Sequence, residues 1–215
     1  MQEILQSFAF TYAALFPICN PLGNAAIFLS ITSGEKVGLR HVQALKGSLY
    51  MLAILVSFYF IGNAILEFFG VSMEAIRIVG GLIVAKIGMQ LLSPKKEDTH
   101  NAAEESEAQE KEDISFSPLA MPLLAGPGSL AVTISLSALH HDFMSPSMIG
   151  AIIGIAAVCG TCWIVLRQAD FILRFLGVNG ANAMTKIMAF LLLAIGVQLT
   201  LTGTGDWLDT ILPKH

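Results

Sequence analysis

The sequence LFPICNPLGNAAIFLSITSG, at residues 15–34, is an apolar stretch of membrane-spanning length that two prolines and a glycine interrupt. A second such stretch, LAMPLLAGPGSLAVTISLSA, occupies residues 119–138 and is interrupted at Pro122, Pro127 and Gly128. Inside a bilayer a backbone N–H or C=O without a partner costs several kcal/mol, so a broken helix persists only against protein or a polar cavity. Two matching interruptions therefore predict a membrane protein with a polar site where its helices break.

The composition predicts an all-α polytopic membrane protein. The 215 residues are 54% hydrophobic and only 13% charged, whereas a soluble domain carries about 25% charged residues. Half of the 16 acidic residues lie between residues 97 and 113, which predicts a solvated linker. Because a spanning helix needs about 20 apolar residues, six spans are predicted at residues 4–33, 44–66, 72–93, 116–139, 146–168 and 183–205.

Short sequence matches indicate an internal duplication. EFFGV at residues 67–71 recurs as RFLGV at 174–178, and KIGMQLL at 86–92 recurs as AIGVQLT at 194–200. The predicted units are residues 1–93 and 116–215, each with three spans, joined by the linker at 94–115. Since three is odd, the second unit enters the membrane the other way up, which predicts a 3+3 inverted repeat with helices 1 and 4 broken at their proline/glycine motifs.

The basic residues predict the orientation. Nine of the 12 lysines and arginines fall in the loops between spans one and two, three and four, and five and six, or within a few residues of these loops. The positive-inside rule assigns these loops to the cytoplasm and both termini to the other side. The nine residues are Lys36, Arg40, Lys46, Lys95, Lys96, Lys111, Arg167, Arg174 and Lys186.

The two breaks supply the candidate binding residues. Proline is favoured at the first position of a helix, so Pro21 and Pro127 are predicted to begin half-helices with Asn20 and Gly126 as their N-caps. Helix N-termini present unpaired N–H groups and partial positive charge, which suits a carboxylate. Amides, hydroxyls and glycines complete the predicted substrate site: Asn20, Pro21, Gly23, Asn24, Gly126, Pro127, Gly128, Ser129 and Thr133.

Three basic residues inside the spans are candidates for gating or for pairing with charge. Arg77 and Lys186 lie at nearly repeat-related positions in helices 3 and 6, and Lys86 lies deeper in helix 3. Each is open to three interpretations: binding substrate, capping a half-helix carbonyl end, or extending to the headgroups.

Other classes of function find less support in the sequence. No nucleotide-binding loop, catalytic triad or metal-ligand cluster is present, so neither an enzyme nor a cofactor or nucleic-acid partner is predicted. Cys19 and the pair Cys159 and Cys162 leave a thiol-disulfide electron carrier as one alternative, and a small channel or regulatory subunit as another. Stripes of small residues allow helices to pack closely within one chain or between copies, so a homo-oligomer stays open.

Four motifs resemble those of the MarC family: NPLGN at 20–24, IRIVGG at 76–81, PLAMPLLAGPG at 118–128 and TKIMAFLLLAIGVQ at 185–198. This family of inner-membrane proteins is also called the neutral amino acid transporter family and is grouped with the LysE-like exporters. The resemblance covers the whole chain. It implies a secondary transporter or exporter of small neutral amino acids or similar zwitterions in the bacterial inner membrane, with coupling to Na⁺ or H⁺ left open.

Overall fold

The structure is a computed structural model that describes residues 1–93, 113–137 and 145–212. Within these ranges it is helical, with no strand. The helices in chain order are α1 (Gln2–Cys19), α2 (Pro21–Ile31), α3 (Val37–Phe68), α4 (Met73–Leu92), α5 (Ser115–Leu124), α6 (Pro127–Ser137), α7 (Pro146–Arg167) and α8 (Ala169–Ile211).

Six candidate membrane spans arise from these eight helices by length and composition. Five are the segments Gln2–Ile31, Val37–Gly62, Met73–Leu92, Pro146–Arg167 and Asn182–Ile211. The pair α5 and α6, bent by 65°, is the sixth if the two count as one span. The prediction of an all-helical membrane protein is confirmed, whereas the inverted relation of the two halves stays a prediction. The predicted linker at 94–115 lies outside the described residues except for its last three.

The amino-terminal ends of α4 and α7 follow local capping rules. The Ser72 hydroxyl accepts a hydrogen bond from the Ala75 N–H at 3.2 Å, and the Ser145 hydroxyl accepts one from the Met148 N–H at 3.2 Å. Serine is among the preferred N-cap residues because its oxygen satisfies a donor that the first helical turn leaves free. These caps fix where two of the candidate spans begin.

α1 packs against α7 through glycines that bring the two backbones together. A Cβ added at Gly150 would overlap the carbonyl oxygen of Ile4, and one added at Gly154 would lie 2.8 Å from the Cβ of Thr11. The Ser7 hydroxyl also donates to the carbonyl oxygen of Ser147 at 2.6 Å. Small residues allow such close approach, which gives dispersion contacts and polar bonds that lipid cannot supply.

α4 packs against α8 in the same way. A Cβ at Gly88 would lie 2.8 Å from the carbonyl oxygen of Ala189, and one at Gly196 would lie 2.6 Å from that of Gly81. The small-residue stripes in α4 and α7, which the sequence leaves open between packing modes, therefore serve contacts within one chain.

Replacing Gly150 by alanine should destabilise the protein by about 1–3 kcal/mol, because the new methyl group overpacks a helix–helix contact. Gly160→Ala, in the same helix, is the matched control, since nothing lies within 4 Å of its added Cβ. Alanine has the higher helix propensity, so this control should be neutral or stabilising by up to about 1 kcal/mol. Thermal unfolding in detergent compares the two, and equal unfolding temperatures would refute the packing role of Gly150.

Candidate functional site

The break between α1 and α2 is a single residue, Asn20, with left-handed backbone angles of φ 38° and ψ 60°. Asparagine tolerates this conformation because its short polar side chain bonds locally. Its Oδ1 accepts from the Gly23 N–H at 3.3 Å, while its own N–H donates to the carbonyl oxygens of Phe16 and Pro17. Asn20 is thus the N-cap of α2, as predicted, with Pro21 at the first helical position.

Gly23 leaves room for this cap. A Cβ at Gly23 would overlap the Asn20 amide and lie 2.9 Å from its Cγ. The sequence predicts instead that Gly23 lets a ligand approach the backbone, but the space beside it holds the Asn20 side chain. The role of Gly23 is therefore to leave space for the Asn20 side chain that caps α2.

The second break lies between α5 and α6. α5 is a π-type segment in which Ser117 and Met121 have extended backbone angles. α6 begins at Pro127, and the Leu130 N–H donates to the carbonyl oxygen of Gly126 at 3.1 Å. Since that bond is the first of the helix, Gly126 occupies the predicted N-cap position.

The two predicted hydroxyls bond within this break. The Ser129 hydroxyl donates to the carbonyl oxygen of Gly126 at 2.8 Å, and the Thr133 hydroxyl donates to that of Ser129 at 2.7 Å. Both side chains are buried. Because a hydroxyl has one donor and two acceptor lone pairs, these groups keep only their acceptor capacity for a guest such as an ammonium group.

Gly128 brings the second break against α1 and α4. A Cβ there would lie 3.1 Å from Cγ2 of Val84, 3.6 Å from Cγ2 of Ile18 and 3.7 Å from Cδ1 of Ile87. Ile18 stands two residues before Asn20, so the two breaks are adjacent. The sequence predicts that Gly128 admits a ligand, whereas these apolar neighbours give its small size a packing role.

Asn24 joins the two breaks through its side-chain amide. Nδ2 donates to the carbonyl oxygen of Cys19 at 2.8 Å and to that of Leu123 at 2.9 Å. In an uninterrupted helix these two carbonyls would accept from residues 23 and 127. The Gly23 N–H is turned to Asn20, and Pro127 has no N–H. Asn24 thus supplies a donor to one orphaned carbonyl from each break.

This arrangement changes the role predicted for Asn24. Both of its N–H donors bond to the backbone, so only its carbonyl oxygen is left to meet a guest. The Asn20 amide is different, because within the described part of the chain its Nδ2 has no hydrogen-bond partner. Asn20 is therefore the better placed of the two to donate to a carboxylate.

The charged candidates lie in different environments. Arg77 forms an ion pair with Asp206 of α8 and is mostly buried. Lys86 and Lys186 are exposed on α4 and α8 and have no ion-pair partner among the described residues. Asp206 is not among the residues predicted from the sequence, because the predicted sixth span ends at residue 205. Its position as the first acidic residue after that span is the sequence feature that could have indicated a partner for Arg77.

Two further ion pairs lie at the side assigned to the cytoplasm, and the first of them connects the halves. Arg40 of α3 lies 3.1 Å from Asp170 of α8, and Lys46 lies 2.9 Å from Asp113. Hydrogen bonds from Ser115 and Lys46 lower the pKa of Asp113 to about 2. This carboxylate is therefore charged at neutral pH. Ion pairs thus join the first half to the second at both ends of the bundle.

The cysteines lie in the interior of the bundle. Cys19, at the end of α1, and Cys162 of α7 are both fully buried in the same hydrophobic cluster. All three cysteines are reduced. No group of three or more metal-ligating side chains occurs among residues 1–93, 113–137 and 145–212.

Comparison with known proteins places the chain among membrane proteins. The model of the family described as "MarC family integral membrane protein" matches residues 5–208. The Escherichia coli UPF0056 membrane protein YhcE is 36% identical over 89% of this chain and 89% of its own length. UPF0056 inner membrane proteins MarC from Citrobacter koseri and Salmonella typhimurium are each 33% identical over 98% of this chain and 99% of theirs. No solved structure matches the chain.

Replacing Asn24 by aspartate should destabilise the protein by about 2–5 kcal/mol, because a carboxylate would face two buried carbonyl oxygens that have lost their donors. Asn179→Asp, an exposed change of the same kind, should have little effect. Thermal unfolding of the purified proteins measures both. Equal stability of the two variants would show that the bridge through Asn24 is dispensable.

Proposed function

The chain belongs to the MarC family of integral membrane proteins, and on that premise we propose that it is a secondary transporter or exporter of small neutral amino acids or similar zwitterions. The observation that carries the proposal is the adjacency of the two helix breaks, with the Asn20 amide and two half-helix N-termini beside them. The proposed setting is the bacterial inner membrane, with both termini outside the cytoplasm.

The chemistry of the breaks suits the two charged ends of a zwitterion. The N–H groups that remain free in the first turns of α2 and α6 and the Nδ2 group of Asn20 are donors for a carboxylate. The lone pairs of Ser129 and Thr133 and the Oδ1 atom of Asn24 are acceptors for an ammonium group. No carboxylate side chain occurs near these residues in either sequence motif, and the surrounding side chains are small or apolar. This lining favours a substrate with a small uncharged side chain.

Reciprocal backbone contacts support the proposed 3+3 inverted repeat. A Cβ at Gly47 would lie 3.2 Å from the carbonyl oxygen of Ser115, and one at Gly154 would lie 3.1 Å from that of Phe8. Phe8 and Ser115 are 107 residues apart, as are Gly47 and Gly154. An exchange of this kind is expected when two like units pack about a pseudo-twofold axis.

The contact between α4 and α8 repeats this exchange. Gly88 meets the carbonyl oxygen of Ala189, and Gly196 meets that of Gly81, with 108 residues between the members of each equivalent pair. The matched motifs EFFGV and RFLGV also place their glycines alike, since Gly70 has φ 66° and Gly177 has φ 64°. The repeat thus has support from packing and backbone conformation as well as from sequence.

The ion pairs at the two ends of the bundle support a mechanism of alternating access. Arg40–Asp170 joins the halves at the side assigned to the cytoplasm, and Arg77–Asp206 joins them at the opposite side. If one repeat rocks against the other about the fixed site, access from each side requires the pair at that side to separate. Arg77 is thereby given the gating role, while Lys86 and Lys186 are proposed to extend to the headgroups from the exposed faces of their helices.

A thiol-disulfide electron carrier is the second candidate, because Cys19 at the first break and Cys162 of α7 are buried in the same hydrophobic cluster. Full burial of both thiols weighs against it, since exchange requires access for an attacking thiolate. A transporter has no need of these thiols. All three cysteines can be replaced by serine or alanine. If this variant keeps full solute flux, the electron carrier is excluded.

We expect Asn20→Gly to abolish most of the saturable uptake of glycine, alanine, serine or threonine into proteoliposomes. Glycine adopts the left-handed conformation and costs only a few tenths of a kcal/mol as an N-cap, so the variant folds but lacks the amide that would meet the carboxylate. A loss of flux of about tenfold or more corresponds to the loss of a hydrogen bond to a charged group.

The control for this experiment is Asn179→Gly, an exposed change away from the breaks. Sodium and proton gradients are applied separately to identify the coupling ion, and aspartate and lysine serve as charged comparison solutes. Absence of flux for every neutral amino acid under every gradient would rule out the proposed substrate class. Normal flux in Asn20→Gly would rule out the proposed role of the amide.

Reversing the charge at either member of the Arg77–Asp206 pair should lower flux several-fold, because two like charges then hold this end of the bundle apart. The exchanged double variant, Arg77→Asp with Asp206→Arg, restores the attraction and should recover much of the flux. A double-mutant cycle of initial uptake rates measures the coupling. If the double variant is as impaired as the sum of the single variants predicts, the pair has no gating role.

A further inference from the structure

A short helical segment joins spans five and six. α7 ends at Arg167, α8 begins at Ala169, and Gly177 interrupts α8 with φ 64° and ψ 174° before the candidate span that begins at Asn182. We call residues 169–176 the surface segment. Because spans lie directly before and after it, this segment is held at a membrane face, the one that the positive-inside rule assigns to the cytoplasm.

One side of the surface segment alternates aromatic and basic side chains. Phe171 is 68% exposed and Phe175 is 81% exposed, and their rings stack with centroids 6.5 Å apart. Arg174 is exposed as well. Residues three and four apart share a helix face, so Phe171, Arg174 and Phe175 form one uncovered stripe.

The amino-terminal end of the surface segment is anchored to the protein. Ala169 is buried, and Asp170 forms the ion pair with Arg40 of α3. Arg167, one residue before the segment, is exposed and lies 5.5 Å from the ring centroid of Trp163. The segment is therefore fixed with its aromatic and basic stripe facing outward.

The repeat-related segment around Phe68 and Phe69, at the other end of the bundle, differs from the surface segment in its charge. Phe68 and Phe69 are 83% and 71% exposed and precede Gly70 with φ 66°. The position equivalent to Arg174 is Glu67. Both segments thus present exposed phenylalanines before a left-handed glycine, but only the one on the cytoplasmic side adds positive charge.

We infer that the surface segment binds anionic phospholipid headgroups of the cytoplasmic leaflet. Phe171 and Phe175 insert at the boundary between headgroups and acyl chains, and Arg167 and Arg174 meet the lipid phosphates. Aromatic rings with interspersed arginines are the composition of interfacial helices, and anionic lipid attracts each basic residue near the surface. The acid at Glu67 makes the opposite segment unsuited to the same lipid.

Trp163 provides a reporter for this binding, because it stands beside Arg167. The full chain carrying Trp207→Phe, which leaves Trp163 as its one tryptophan, is reconstituted in phosphatidylcholine vesicles. Increasing fractions of brominated phosphatidylglycerol or brominated phosphatidylcholine are then added, and quenching of Trp163 gives their relative affinities. We expect phosphatidylglycerol to be preferred by about fivefold for each arginine, with the preference falling as salt rises.

Arg174→Gln should lower that preference by about fivefold, and Glu67→Gln should leave it unchanged as the matched control. Because Arg174 is exposed, its variant keeps the unfolding temperature of the parent. Equal quenching by the two lipids, or a preference that Arg174→Gln leaves undiminished, would overturn the inference. A fall in oligomer mass on Phe171→Ala or Phe175→Ala would overturn it too, since the stripe would then contact a second copy of the chain.

Discussion

The side-chain amide of Asn24 satisfies two carbonyl groups that the interrupted helices leave without partners, and the geometry of the centre depends on it. Its two N–H groups reach Cys19 at the end of α1 and Leu123 at the end of α5, 99 residues further along the chain. Lipid has no donor to offer, so each carbonyl must be bonded within the protein. A single asparagine thus makes two helix interruptions tolerable and holds them next to each other.

The two helix interruptions that Asn24 connects differ in their backbone structure. Asn20 closes the first within one residue, with a left-handed backbone and a side-chain cap, and α1 and α2 still form one span. The second is an irregular segment followed by a bend of 65° at α6. A buried amide holds the centre of the bundle together, whereas ion pairs that can separate join its two ends. This contrast suits the proposed transport, in which the ends move while the centre stays fixed.

Sequence reasoning predicts what local rules control. Proline and asparagine have fixed preferences at helix ends, so the starts of α2 and α6 and the cap at Asn20 follow from the residues alone. Apolar length predicts the spans equally well. The partners of Asn24 and Arg77 do not follow, because both are set by the packing of distant helices. Gly23 and Gly128 show a further limit, since a glycine's missing side chain serves either a ligand or a neighbouring group, and only the fold shows which.

Equilibrium binding of a radiolabelled neutral amino acid to the purified chain tests most directly whether the joined breaks are a solute site. The account predicts saturable binding of one molecule per chain, competed by small neutral amino acids and weakened at least tenfold in Asn20→Gly, with Asn179→Gly unchanged. Binding that is absent for every neutral amino acid, or equally tight in Asn20→Gly, would contradict it. In that case the bridged breaks would be a structural device alone.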